Sequence, residues 1–193
     1  HLKHGQIEIT VVGDIDKDTV IKEVARTFGA LPKRNTHLGE YPNMTKLKFP
    51  KGKRKPVTLS HSGDANRALL QVYWPAPDGT DMMRNRRLGV LRAIFSNCLT
   101  DIIREDEAAA YSPSAGRSGS RTYEGYGYMS ASLGLKPEKV PAMIAKLDEI
   151  AADFQSGNIS DDEFKRAIQP TLENLDSSLE SNSYWAGVIG TAQ

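Results

Sequence analysis

Apolar side chains between residues 88 and 103 recur at i+3 and i+4. Leu88, Leu91, Ile94, Phe95, Cys98, Leu99, Ile102 and Ile103 make one continuous stripe. That period predicts a helix over about 81–108 with one face buried. Ser112-Pro113-Ser114 breaks the run, and a two-residue alternation replaces it. Two strands follow, near 111–120 and 123–135. In the second, Tyr123, Met129, Ala131, Leu133 and Leu135 share one face, while Tyr126, Tyr128, Ser130 and Ser132 share the other. The glycines at 125 and 127 weaken a strand but let another backbone approach closely.

Elsewhere the same two periods alternate. Gln6 to Val12 alternates and is β-branched, predicting a strand that Gly13-Asp14-Ile15-Asp16 turns, with Asp14 or Asp16 available as an N-cap. Val20, Ile21, Val24, Ala25 and Phe28 predict a helix stopped by Gly29 and Pro32. Residues 57–60 and 68–74 read as strands, closed by Pro75, Pro77 and the Asp78-Gly79 pair. Lys136-Pro137 opens a helix carrying Val140, Ile144, Leu147, Ala151 and Phe154, with Gly157 as its stop. Ser160-Asp161-Asp162-Glu163 fits a capping box, in which Ser and Glu satisfy free amides reciprocally. Phe164, Ile168, Leu172, Leu175 and Leu179 continue that helix, and Pro170 inside it predicts a kink. The sum is an α+β fold: an antiparallel-rich sheet with helices packed on one face.

Composition narrows the class. The chain has 193 residues, 39% hydrophobic and 25% charged, which is ordinary for a globular protein. No apolar run approaches a membrane span, so no membrane span is expected. His1-Leu2-Lys3-His4 does not read as a natural start, so the lack of a leader says nothing about compartment. A formal net charge of +1 does not indicate a general nucleic-acid binder. Lys46, Lys48, Lys51, Lys53, Arg54 and Lys55 nevertheless crowd around Pro50, Gly52 and Pro56. Such a run either holds an anionic partner or is a solvated linker, the commoner role. Read as a linker over 51–56, it separates residues 1–50 from a main domain over 57–193.

Self-sufficient chemistry is missing. The single Cys98 lies on the apolar stripe of its helix and reads as packing. His1 and His4 precede a strand, and His37 and His61 are far apart in loop-like sequence. No H-E-x-x-H, H-x-x-E-H or G-x-S-x-G occurs, and the strand, Gly-Asp turn and helix at the start lack any glycine-rich phosphate loop. Asp161 and Asp162 complement a helix dipole rather than form a catalytic pair. No metal site is expected in this chain. On residue type alone, Arg104 snorkels over apolar surface and Tyr111 packs its ring with its hydroxyl in water.

Three features together resemble the non-catalytic second half of insulinase/pitrilysin-type zinc metallopeptidases. The first is the strand, turn and helix from Ile7 to Asp16, with Phe28-Gly29-Ala30-Leu31-Pro32 after it. Next comes the long helix closing in Arg104, with Tyr111 seven residues on and Ser112-Pro113 behind. Last are the Gly-rich strand, Lys136-Pro137-Glu138, the Ser160–Phe164 helix start and Tyr184-Trp185.

The resemblance implies one half of a clamshell that closes around an unfolded peptide. In this family the other half holds zinc on an inverted H-x-x-E-H helix. The second half has lost those ligands but contributes an Arg/Tyr pair, here Arg104 and Tyr111, to the catalytic chamber. A guanidinium and a phenol hydrogen-bond a substrate carbonyl and favour the oxyanion that develops on it. The resemblance also sets the Gly-rich strand, with Tyr126, Tyr128 and Ser130, beside extended substrate, although the family usually gives strand addition to the catalytic half. No cofactor is expected on this chain, and Zn²⁺ is expected in the partner half. The implied partners are that half, on the same or another polypeptide, and peptide substrate. A bacterial periplasm or otherwise exported location is expected. Family members usually continue past the position of Gln193, which implies a shortened half. A catalytically inactive scaffold of the same fold is the alternative, and an anion- or nucleic-acid-binding module using Lys46–Lys55 is a third reading.

Overall fold

The computed structural model describes residues 5–34, 46–52, 54–105 and 111–190, with only the backbone of Ile103, Arg104, Glu105 and Tyr111. Two compact units divide the chain: His1–Tyr41 with Thr171–Gln193, and Pro42–Pro170.

The second unit carries the sheet. Its elements are β1 (Ala68–Ala76), α2 (Met82–Glu105), β2 (Tyr111–Gly119), β3 (Gly127–Leu135), α3 (Val140–Ser156) and the start of α4 (Asp161–Glu173). The strand order is β1-β3-β2, with β3 antiparallel to both neighbours. β1 and β2 therefore run parallel, joined by α2 as a crossover, because parallel strands need a long return path. β3 fills the slot between them as the second arm of a hairpin with β2.

Alternation sets which face is covered. Gly127, Met129, Ala131, Leu133 and Leu135 are buried in a strict every-other pattern along β3. The last four pack with Phe95 and Leu99 of α2 and Met143 and Leu147 of α3 in one core. Leu99, Leu133 and Leu147 are the largest fully buried side chains, each stabilising the fold by about 1.5–3 kcal/mol through burial. The helices thus lie on one face of an antiparallel sheet, as the alternation predicts.

Helix ends follow local chemistry. Asp81 accepts from the Arg84 amide at 2.9 Å and caps α2. Gly157 ends α3 at φ 75°, the left-handed conformation that favours glycine. The capping box forms in full: the Glu163 carboxylate accepts from the Ser160 amide at 2.8 Å, and Ser160 Oγ accepts from the Glu163 amide at 3.2 Å.

The first unit contains α1 (Lys17–Thr27), α5 (Leu175–Leu179) and α6 (Asn182–Ile189). Asp16, rather than Asp14, caps α1 by accepting from the Thr19 amide at 2.7 Å. Trp185 donates its indole N–H to the Leu179 carbonyl at 2.6 Å, tying α6 to the end of α5. Ile9, Val11, Val20, Ile21, Val24, Ala25 and Gly29 line an open apolar cleft of about 450 Å³ beside α1.

Several expected elements differ. Residues 6–12 and 57–60 do not form strands among the described residues. A strand exists through its ladder, and alternation alone supplies no neighbour to hydrogen-bond. Val57 and Leu59 are 84% and 85% exposed, so no sheet face covers them there. The expected strand over 123–135 begins only at Gly127, because Tyr123 and Tyr126 belong to the hairpin loop. Helix α2 is described to Glu105; the expected extension to 108 lies outside the described residues. The helical run through Pro170 divides at Asn174, where α4 ends and α5 begins. Asn disfavours a helix interior by competing for backbone hydrogen bonds.

Candidate functional site

The sheet face away from the helices is open, and register decides what it shows. Pro75, Tyr128 and Ser118 form one row across the three strands; Tyr73, Ser130 and Gly116 form the next; Gln71, Ser132 and Ser114 form a third. The β1 members of these rows are exposed and the β3 members half-buried. Tyr73 and Tyr128, diagonal neighbours, meet edge to face at 5.4 Å. Gly116 gives Ser130 room, since a Cβ there would lie 2.5 Å from Ser130 Oγ and the hydroxyl would have to turn away. Small and hydroxylated positions on β2 and β3, with aromatics beside them, leave this face shallow.

The hairpin loop at one end of this face is built around one carboxylate. Asp78 is buried and accepts from the Thr80 amide at 3.1 Å, the Thr80 hydroxyl at 2.6 Å, the Gly125 amide at 2.7 Å and Arg84 Nη2 at 3.1 Å. The Thr80 hydroxyl, then the Gly125 and Thr80 amides, hold its pKa down to about 2, with the Arg84 charge adding to them. Gly125 takes φ 67° there. Ser120 Oγ accepts from the Thr122 and Tyr123 amides, and the Ser120 amide donates to the Tyr126 carbonyl at 2.8 Å. Gly127 sits against the Pro77 carbonyl, which a Cβ would approach to 2.2 Å. Close backbone approach at Gly127 is thus realised, while Gly125 serves the turn.

That loop presents Tyr126. Its ring stacks on Phe49 with centroids 4.8 Å apart and planes 5° off parallel, and Tyr123 meets it at 6.2 Å. Tyr128 and Ser130 lie on the open face as expected, whereas Tyr126 precedes the strand and is engaged by Phe49.

Arg104 lies in the last turn of α2 and Tyr111 opens β2, its Cα paired with Gly134 of β3. The side chains of this pair, and residues 106–110 between them, lie outside the described residues. Pairing is irregular between Tyr111 and Ser114, and Ser112 takes φ 50°, unusual for a residue with a Cβ.

No group of three or more His, Cys, Asp or Glu side chains arranged to hold a metal occurs among the described residues. His61 Nδ1 accepts from the Gly63 amide at 2.9 Å, and the described residues do not fit a zinc centre; His1, His4 and His37 lie outside them. Cys98 is half-buried, 4.0 Å from a Glu163 oxygen. Burial first, then the nearby Glu163 and Asp101 charges, push its thiol pKa up, which suppresses the reactive thiolate. Asp162 pairs with Arg166 at 2.9 Å, one helical turn on.

Three groups at this site escape reading from sequence. Asp78 reads as part of a break, although an Asp two residues before Thr is a turn signal that hints at it. Nothing local announces the Phe49–Tyr126 stack, and Tyr73 joins the open face only through strand register.

A three-stranded antiparallel sheet with helices on one face and an open face on the other defines an α+β layer with no metal cluster among its described residues. The family model for the Peptidase M16 inactive domain matches residues 1–170, and the chain belongs to that family. Two solved structures share the fold. A structure of the periplasmic protease PqqL from Escherichia coli superposes with a TM-score of 0.69 at 18% identity, covering 93% of this chain and 19% of that one. A protease from Helicobacter pylori gives a TM-score of 0.71 at 15% identity, covering 92% of this chain and 43% of that one. The chain therefore spans less than half the length of either. No curated protein matches it.

Proposed function

We propose that this chain is the non-catalytic half of a zinc-dependent endopeptidase, where it helps line a chamber for unfolded peptide. The observation that carries the reading is the family match together with the open sheet face, whose rows of Tyr, Ser and Gly suit an extended chain. Arg104 and Tyr111 supply the auxiliary chemistry. Each donates a hydrogen bond to a substrate carbonyl oxygen and stabilises the negative charge that gathers there during attack, an effect strongest where water is excluded. Tyr128 and Ser130 contact the peptide along the face. Zinc belongs to the partner half. The E. coli neighbour is a periplasmic protease, which supports an exported location for this chain.

The test combines this chain with a catalytic half carrying an intact H-x-x-E-H helix and follows hydrolysis of a quenched fluorescent peptide. Arg104→Ala and Tyr111→Phe are each expected to lower kcat by about ten- to a thousandfold, the scale of lost oxyanion donors. Unchanged turnover in both variants would sink the catalytic role and leave a scaffold of the same fold.

A further inference from the structure

The basic run is attached to the hairpin loop beside the open face. Phe49 lies within it and is half-buried, its ring parallel to Tyr126 at 4.8 Å. Around Phe49, Lys46, Lys48, Lys51, Arg54 and Lys55 are all exposed. No Asp or Glu occurs between Glu40 and Asp64, so the segment carries no acid of its own. None of the salt bridges among the described residues uses any of these five cations. A segment serving only as a solvated linker needs no aromatic anchor. Here a stacked ring holds positive charge that no described acid pairs, at one end of the open face.

We propose that the Phe49-anchored strip of Lys46, Lys48 and Lys51 is a subsite for an acidic stretch of an extended polypeptide whose remainder lies on the open sheet face. The inference rests on the peptide-binding reading above and adds a charge preference to it. Tyr126 stacks on Phe49 just before β3, and two residues on Tyr128 meets Tyr73 on the open face. A bound chain thus meets hydroxyls and rings on the sheet, then ammonium groups beyond the hairpin loop. Ammonium groups attract carboxylates as mobile point charges, without the planar fork of arginine, so the subsite selects charge rather than one sequence. Polypeptide is favoured over nucleic acid because a net charge of +1 supplies no general field for a polyanion.

The test measures binding of the 193-residue chain to labelled unstructured peptides that differ only in carrying Glu, Gln or Lys at the same positions. By fluorescence anisotropy at low ionic strength, the Glu peptide is expected to bind about tenfold tighter than the Gln peptide, with the advantage shrinking as salt is added. Charge reversal at the three exposed lysines (Lys46→Glu, Lys48→Glu, Lys51→Glu) should turn the preference toward the Lys peptide, with the circular dichroism spectrum unchanged. Phe49→Ala should reduce the Glu advantage while leaving the Gln peptide bound. Equal affinity for Glu and Gln peptides, or a preference that survives charge reversal, overturns the subsite and leaves peptide binding intact. Failure to bind any of the three peptides overturns the peptide-binding reading and this inference together. Tighter binding of a single-stranded DNA probe than of the Glu peptide overturns the choice of polypeptide.

Discussion

Asp78 concentrates more hydrogen bonds than any other side chain at the site, and its ionisation is linked to the hairpin loop. Its pKa falls from 3.8 to about 2 on folding, so the folded state holds the proton less tightly than the unfolded state. The stabilisation is therefore present above pH 3.8 and disappears as pH falls through about 2. Asp78→Asn is expected to lower stability at neutral pH and to flatten the acid limb across that window. Urea midpoints measured against pH check this, and parallel acid limbs for the two proteins would refute it. Glycine placement follows similar logic. Gly127 is dictated by the Pro77 carbonyl and Gly125 by a backbone angle, whereas Gly116 only leaves room for the movable Ser130 hydroxyl. The sequence signals glycine at all three sites and distinguishes none of these reasons.

At the scale of elements, local codes read reliably wherever the chain satisfies itself. The Ser160/Glu163 box needs only four consecutive residues, and it forms with the Glu163 pKa lowered by the Ser160 hydroxyl and amide. Ser160→Ala is expected to cost about 1 kcal/mol, as other N-cap truncations do. Chemical denaturation measures it, and no change would show that the box is redundant with packing. The α2 stripe, the α3 stop at Gly157 and the alternation of β3 are legible for the same reason. Residues 57–60 are not, because strand formation depends on a partner that alternation does not encode. Register is likewise a long-range property: Tyr73 faces the same way as Ser130 only because β1 pairs with β3 as it does.

For the whole molecule, the core is confined to one unit. Every buried residue of the central cluster lies between Phe95 and Leu147, on α2, β3 and α3. Leu133 is fully buried at the centre of the sheet, and Leu133→Ala is expected to destabilise that unit by about 2–5 kcal/mol through lost burial and a residual cavity. Guanidinium unfolding followed by tryptophan fluorescence reads this, since Trp74 packs on the core beside Phe95 at 5.5 Å. A shift well below 2 kcal/mol would mean that neighbouring side chains close the gap. By itself the sequence determined the helical stripes of α1, α2 and α3, the Gly157 stop, the Ser160/Glu163 box and the buried face of β3, all written in short windows of residue type. Tertiary structure alone decided that β3 lies between β1 and β2, that Asp78 braces the loop at Gly125, and that Phe49 draws a basic segment to Tyr126. Those arrangements join residues up to 77 positions apart, and their energy comes from contacts that exist only once the chain has folded.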